Sequence, residues 1–317
     1  MNSAAVALIR RSQLADHGWH SRRIRLEVEK GYLRAIRPGV YARGADVDGL
    51  RPEQKIVVRA RALALVSAHR PTFCGVTAAA IQGLPCLRDD GLLHVLAPDS
   101  RPGGARGVVR HRDLARDPHH VELDGLRCTP LARTVADVAR MESRDAAVTV
   151  MDAALRERAF TPPGGYDVEE AERFREEAMS WTRFATRGRR AAERALTLGD
   201  GRAQLPGESV SRLRLRELGF APPSLQVPVA GPRGNTYWID FGLDDVGAWG
   251  EFDGMLKYRG LATDAGRSPQ SVVEDEKRRE DWIRGTTQRR FARWGWEHLT
   301  DAATLGRRLS AFGITPV

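Results

Sequence analysis

Two apolar segments near the C-terminal end of the chain carry acidic residues where a buried strand should be apolar. Asp240 interrupts "TYWIDFGL", and Glu251 and Asp253 flank Phe252 in "AWGEFDG". Large apolar side chains surround these acids, which indicates that both strands are mostly buried. Because a buried carboxylate is costly unless it is paired or bound to a metal, the pattern predicts a metal site. The alternative is ordinary polarity on strand edges that face solvent.

The segments around these strands supply the rest of a candidate site. A helix over 207–218 has Glu208 near its N-terminus, and strand alternation places Glu251 and Asp253 on one face of the sheet. Asp240 and Glu251 on neighbouring strands, with Glu208 from the helix, are therefore expected to converge on one cation. Carboxylate oxygens suit Mg²⁺ or Mn²⁺, and such an ion neutralises phosphate charge and activates water for phosphodiester hydrolysis.

The N-terminal segment 1–45 reads as a winged helix-turn-helix. We expect a first helix in "NSAAVALIRR", a short Ser-capped helix, a third helix with Ile24 and Val28 on its buried face, and a hairpin that turns at Pro38–Gly39. Residues 1–43 contain nine Lys or Arg and three Asp or Glu, which favours contact with DNA phosphates. The alternative is an ordinary helical segment with a solvated basic face. The residues predicted to bind DNA here are Arg22, Arg23, Arg25 and Arg34.

The remaining composition narrows the class of protein. The formal net charge is +9, with 50 Lys and Arg against 41 Asp and Glu, which fits either a nucleic-acid partner or a high-GC bacterial composition. No segment approaches the length of an apolar membrane span, so we expect a cytoplasmic protein without a membrane partner. Three widely separated cysteines predict reduced thiols and make zinc improbable. We expect His94, His111, His119 and His120 to be solvated or hydrogen-bonded.

The first half of the chain resembles the AbiEi-type antitoxin and regulator family. The segments that carry the resemblance are "GYLRAIRPGVYA", "CGVTAAAIQGLP", "HVLAP", "VVRHR" and "LDGLRCTPLARTVADVAR". The resemblance implies a DNA-binding winged helix over 1–45 followed by an α/β domain over 46–160. A helical linker is expected over 161–205.

The last 110 residues resemble a Vsr-like domain of the PD-(D/E)XK nuclease superfamily. The segments that carry this resemblance are "LPGESVSRLRLRELGF", "YWIDFGL", "WGEFDGMLKY", "EDEKRREDWIR" and "RFARWGWEHL". It implies a restriction-endonuclease-like domain over 206–317. In the superfamily motif a Lys that polarises water stands two positions after the Glu, where this chain has Asp253. Lys257 or Lys277 could supply the missing cation, and Lys277, Arg278 and Arg279 lie in a basic segment suited to a DNA backbone.

The sequence therefore predicts a mixed α/β multidomain protein directed to double-stranded DNA. The favoured function is a Mg²⁺-dependent endonuclease, with Glu208, Asp240 and Glu251 as metal ligands and Asp253 assisting. One alternative is a non-catalytic transcriptional regulator or antitoxin with a degenerate nuclease fold. Another is a partner-binding component of bacterial defence. A second copy of the chain or a cognate protein stays open as a further partner.

Overall fold

The structure is a computed structural model of the 317-residue chain. It describes residues 6–97, 106–113, 115, 119–162, 164–184, 187–254 and 269–317. The chain is a mixed α/β protein that divides into two compact units. The first unit comprises Met1–Ala154 and Glu169–Gly199, and the second comprises Leu155–Val168 and Asp200–Val317. The segment 161–205, expected to be a linker, is shared between them; the predicted boundaries at 45, 160 and 205 stay predictions.

A small antiparallel sheet and two helices open the first unit. The strands run in the order β1-β3-β2, and the hairpin between β2 and β3 turns at Pro38–Gly39 as expected. Helix α2 buries Ile24 and leaves the flanking arginines exposed. The bounds of these elements are β1 (Ile9–Arg10), α1 (Arg11–Asp16), α2 (Ser21–Glu29), β2 (Leu33–Arg37) and β3 (Val40–Arg43).

The first helix expected from the sequence is wrong over residues 6–10. Ile9 and Arg10 instead form a strand that pairs with Tyr41 and Val40 of β3. Without this segment, the backbone N–H and C=O groups on the outer edge of β3 would lack partners, and pairing with Ile9–Arg10 satisfies them. Val6, which precedes the strand, is buried. The expected third helix is consequently the second helix of the structure. The first five residues of the chain lie outside the described ranges.

A five-stranded mixed sheet forms the centre of the first unit, in the order β6-β5-β4-β8-β7. Strands β5 and β6 are parallel, as are β4 and β8, while β4–β5 and β7–β8 are antiparallel. Ile56 and Phe73 belong to the apolar core on this sheet. The strands are β4 (Thr72–Phe73), β5 (Leu93–Ala97), β6 (Val108–Arg112), β7 (Val121–Leu123) and β8 (Leu126–Cys128).

Between α2 and the helices of the second unit, the described residues form helices α3 to α9. The last residues of α7 and the first residue of α8 belong to the second unit. Their bounds are α3 (Gly44–Val47), α4 (Pro52–Val66), α5 (Gly75–Ile81), α6 (Leu131–Met141), α7 (Arg144–Ala159), α8 (Val168–Trp181) and α9 (Arg189–Thr197).

The second unit is built on a four-stranded sheet in the order β11-β12-β13-β14. The pairs β11–β12 and β12–β13 are antiparallel, and β13–β14 is parallel. A two-stranded sheet of β9 (Phe160–Thr161) and β10 (Gly165–Tyr166) accompanies it. In chain order the elements of the larger sheet and its helices are α10 (Pro206–Leu218), β11 (Ser224–Ala230), β12 (Thr236–Leu243), β13 (Ala248–Phe252), α11 (Pro269–Thr287), β14 (Arg290–Trp294) and α12 (Ala302–Ser310).

Helices α10 and α11 cover opposite faces of this sheet. On the α10 face, Trp294 Nε1 donates a hydrogen bond to Ser211 Oγ at 2.8 Å. On the α11 face, Ile283 packs with Trp249 and Phe291 in one apolar cluster. Alternate residues of β13 therefore point to different helices, and Glu251, on the same face as Trp249, points towards α11.

No helix in the described ranges is long and apolar enough to cross a membrane.

Candidate functional site

Glu208 lies in the first turn of α10 and is only 1% exposed. Its Oε2 accepts a hydrogen bond from the backbone N–H of Gln204 at 2.8 Å and another from Gln226 Nε2 at 3.2 Å. The first turn of a helix also favours negative charge, because the helix dipole is positive at that end. The fold therefore places a carboxylate under the sheet face that α10 covers and stabilises it there.

Asp240 lies on β12 and is 7% exposed. One carboxylate oxygen, Oδ2, accepts from the backbone N–H of Phe252 on β13 at 3.0 Å. The other, Oδ1, lies 3.4 Å from Gln226 Nε2, the same nitrogen that contacts Glu208. The structure thus brings Glu208 and Asp240 together through one amide group.

Gln226 joins the two acids from an unusual backbone conformation. It lies within β11 but has a φ of 51°, in the left-handed region that L-residues other than Gly, Asn and Asp seldom adopt. Its Oε1 accepts a hydrogen bond from Gln204 Nε2 at 2.8 Å, which fixes the amide so that its N–H groups face the acids. Strained residues often mark functional sites. The sequence analysis missed Gln226 because a single Gln in a strand carries no pattern of its own.

Glu251 has different partners, although it lies on the strand next to Asp240. Its carboxylate accepts from Arg279 through both Nη atoms, at 3.1 Å for Nη1, and from Arg293 through Nε at 3.2 Å and Nη2 at 2.7 Å. Arg293 is its register partner on the parallel strand β14, and Arg279 comes from α11. Glu251 therefore faces α11 between two guanidinium groups.

A second acid completes this ion-pair network. Glu276 on α11 contacts Arg279 at 2.9 Å and also contacts Arg293. Burial by itself would lower the pKa of both arginines, but hydrogen bonds and charge from Glu251 and Glu276 outweigh it and raise each pKa above its ordinary value. Arg279 further donates to the Trp238 carbonyl at 2.6 Å. The structure thus gives the Arg279 guanidinium partners within the protein, and its role in DNA binding stays a prediction.

Three further predicted residues of this site lie in the described part of the chain, and each has its own surroundings. Asp253 is half-buried, and its backbone N–H donates to the Trp294 carbonyl at 2.8 Å. Lys277 and Arg278 are exposed on α11, and Arg278 lies 3.7 Å from Asp275. Lys257 lies outside the described residues.

The predicted DNA-binding arginines of the N-terminal segment share one helix, with one exception. Arg22, Arg23 and Arg25 are all exposed on α2, and Arg23 stacks over the Trp19 ring at 4.2 Å. Arg34 on β2 instead forms a two-point ion pair with Asp48, both contacts being 2.8 Å. Three of the four predicted arginines are therefore exposed on α2.

Glu208 and Asp240 are the two predicted metal ligands that the structure brings together, whereas Glu251 has other partners. Within the described residues, no group of three His, Cys, Asp or Glu side chains is arranged to hold a metal. Glu208 and Asp240 nevertheless converge on the amide nitrogen of Gln226, a neutral donor that lies where a shared cation would lie. Mg²⁺ keeps several waters and commonly uses only one or two carboxylates. Glu251 as a third ligand stays a prediction.

Comparison with known proteins identifies two similar proteins, whose names indicate no activity. Two proteins of Mycobacterium tuberculosis, "Uncharacterized protein MT2308" of strain CDC 1551 / Oshkosh and "Uncharacterized protein Rv2248" of strain ATCC 25618 / H37Rv, are each 28% identical to this chain over 240 residues. Each alignment covers 75% of this chain and 79% of the relative. No protein-family model matches the chain.

Proposed function

We propose that this protein acts on double-stranded DNA and that its second unit is a Mg²⁺-dependent endonuclease of the PD-(D/E)XK type. The arrangement of that unit supports the proposal, because Glu208 lies at the start of α10 and Asp240 and Glu251 lie on the paired strands β12 and β13, as the sequence predicted. In the first unit, two helices and an antiparallel hairpin support the winged-helix interpretation. The exposed arginines of α2 would then contact DNA phosphates.

The observation that carries the nuclease proposal is the meeting of Glu208 and Asp240 at Gln226. Two carboxylates in a protein interior repel each other and lose hydration, so they persist only where a positive partner compensates them. The Gln226 amide supplies two partly positive hydrogens. A divalent cation supplies far more charge, and we expect it to displace the amide N–H groups or to turn the amide so that Oε1 joins the ligands.

In the proposed hydrolysis of a phosphodiester bond, each residue of the site has a different role. Bound Mg²⁺ would supply charge neutralisation at the phosphate and activation of water. Glu208 and Asp240 would hold the ion, and Gln226 would orient both carboxylates. Lys277 and Arg278 on the exposed part of α11 would contact the DNA backbone. Such contacts position the duplex without reading its sequence.

The decisive experiment is cleavage of supercoiled plasmid with Mg²⁺ or Mn²⁺. We expect nicking by the wild type and a loss of about 100-fold or more in rate for Asp240→Asn and Glu208→Gln, a size typical of removing an essential electrostatic group. Both variants keep the side-chain shape and remove one charge.

Glu274→Gln is the matched control, because Glu274 is an exposed acid on α11 and belongs neither to the Glu208–Asp240 pair nor to the ion-pair network of Glu251. It should cleave at the wild-type rate. Absence of metal-dependent cleavage by the wild type would contradict the proposal, as would cleavage by Asp240→Asn at an undiminished rate.

The second candidate is a non-catalytic regulator or antitoxin of the AbiEi type. The engagement of Glu251 by Arg279 and Arg293 favours it, because two guanidinium groups already neutralise that carboxylate and compete with a metal for it. In this alternative the second unit would serve contacts, and DNA binding by α2 would be the activity.

A salt-dependent mobility shift on duplex DNA tests the second candidate. Replacing Arg22, Arg23 and Arg25 by Ala should weaken binding and reduce the slope of log K against log salt by about 2 to 3, since each lost phosphate contact removes about one unit. The matched control removes three exposed arginines from another helix, α9: Arg189, Arg190 and Arg194. Binding without cleavage would favour the regulator, and an equal loss in both triple variants would contradict a role for α2.

A further inference from the structure

The first unit contains a small basic cavity that neither proposed function uses. Its volume is about 190 Å³, and helix α6, strand β6 and the turn after α8 contribute to its wall. Arg133, Asp137 and Arg140 of α6 line it, and their spacing puts them on one face of the helix. Arg112 from the end of β6 lines it as well.

The wall of the cavity carries more positive than negative charge. Arg133 pairs with Asp113 at 2.8 Å and Arg140 with Asp137 at 3.1 Å, whereas Arg112 makes no ion pair within the described part of the chain. The Arg133 side chain is only 6% exposed, and its Nη1 is a buried donor without a hydrogen-bond partner among the described residues. A buried unsatisfied donor is costly, and an anion is the partner that would satisfy it.

Among the described residues that line the cavity, Asp137 is the acidic one, and Arg140 already pairs with it. Burial raises the pKa of the Cys74 thiol well above its ordinary value, so it stays protonated. Burial also raises the pKa of Asp137, although Arg140 and Arg133 act against that shift. For His111, burial, the neighbouring His94 and Arg140 together lower the pKa to about 4. The imidazole is therefore neutral at pH 7, and its Nε2 contacts His94 Nδ1 at 2.8 Å, which leaves the Nδ1 of His111 for a ligand.

Aromatic rings form another side of the cavity. Trp181 and Phe184 line it with their ring centroids 5.7 Å apart, and the Arg133 guanidinium lies 5.3 Å from the Trp181 ring centroid. Both aromatic side chains are half-buried. A planar ring that enters the cavity can therefore stack on an aromatic face while an attached anion reaches the guanidinium groups.

We propose that this cavity binds a small phosphate monoester that carries one planar ring, of the nucleoside monophosphate class. Guanidinium groups recognise phosphate through paired hydrogen bonds, and arginine is the residue best suited to that geometry. The volume of about 190 Å³ is below the roughly 300 Å³ at which ligand pockets begin, so the cavity would enclose the phosphate and part of the ring, and the rest of the nucleotide would lie at its mouth. The site would make the first unit a sensor of a small metabolite, whether or not the second unit cleaves DNA.

Calorimetric titration of the full-length protein with adenosine 5′-monophosphate tests the proposal, with inorganic phosphate and adenosine as partial probes. We expect saturable binding of the monophosphate and at least about tenfold weaker binding of each partial probe, because each lacks one of the two recognised groups. Arg112→Ala should weaken binding of the monophosphate about tenfold through loss of charge-assisted hydrogen bonds. Trp181→Leu should weaken the monophosphate but leave phosphate binding unchanged.

Arg110→Ala is the matched control, since Arg110 is exposed on the same strand and does not line this cavity. It should bind within about twofold of the wild type, because no direct contact is lost. Arg140→Gln provides a second test at a half-buried position, and circular dichroism verifies the fold of each variant. Three results would overturn the proposal: no saturable binding of the monophosphate, an equal loss in Arg110→Ala and Arg112→Ala, or a preference for a 5′-phosphorylated oligonucleotide over the free monophosphate.

Discussion

The second unit holds its buried acids in two contrasting ways. The amide set, Glu208, Gln226 and Asp240, joins two carboxylates through one neutral side chain. The guanidinium set, Glu251, Arg279 and Arg293, places one carboxylate between two full positive charges. All three acids are buried and lie on neighbouring elements, so burial does not distinguish them. Their partners distinguish them. A neutral amide leaves the negative charge of Glu208 and Asp240 able to attract a cation, whereas two guanidinium groups already neutralise Glu251.

The largest expected effect comes from breaking the guanidinium set. Glu251→Gln leaves two poorly exposed arginines with only Glu276 as a shared acidic partner, and we expect a loss of about 3 kcal/mol in the free energy of unfolding. Urea denaturation followed by tryptophan fluorescence measures it, because five of the seven tryptophans lie in the second unit.

Glu280→Gln serves as the control for that measurement. Glu280 lies at the rim of the network, 3.7 Å from Arg293, and its loss should cost under about 1 kcal/mol. An equal loss in the free energy of unfolding for the two variants would show that the guanidinium set contributes no more than an exposed ion pair.

A smaller effect is expected from the packing beneath the amide set. Gly207 precedes Glu208 on α10, and a Cβ added there would lie 2.1 Å from the Phe252 ring. Gly207→Ala should therefore cost about 2 kcal/mol through overpacking, and it should shift the helix end that carries Glu208. The free energy of unfolding by urea measures the loss. Gly285→Ala on α11 is the control, since no heavy atom within 4 Å would meet its Cβ; a loss as large at Gly285 would remove the steric explanation.

The smallest effect sharpens the role of Gln226. Gln226→Ala and Gln226→Gly both remove the amide, but of these two residues only glycine adopts a φ of 51° without strain. We expect the glycine variant to be about 1 kcal/mol more stable than the alanine variant, with metal-dependent cleavage altered alike in both. Equal stability of the two variants would show that the backbone relaxes and that the conformation stores no strain.

Local sequence patterns predicted much of the second unit. Apolar alternation located the strands that carry Asp240 and Glu251, and Glu208 was placed correctly near the start of α10. The hairpin at Pro38–Gly39 of the first unit was predicted equally well, because proline and glycine restrict the backbone locally. The prediction failed where the partner is distant in sequence: Ile9–Arg10 form a strand because β3, some thirty residues later, offers them an edge.

The sequence by itself determined which residues are acidic, which strands are buried, and therefore that buried carboxylates exist. Only the tertiary structure decided what each carboxylate contacts. Glu251 meets Arg293 because β13 and β14 pair in parallel at one register, and Glu208 meets Asp240 because Gln226 adopts a conformation that strand periodicity does not foresee. Partner choice depends on register, face and helix placement. These follow from the packing of the whole unit, so the spacing of residues along the chain does not specify them.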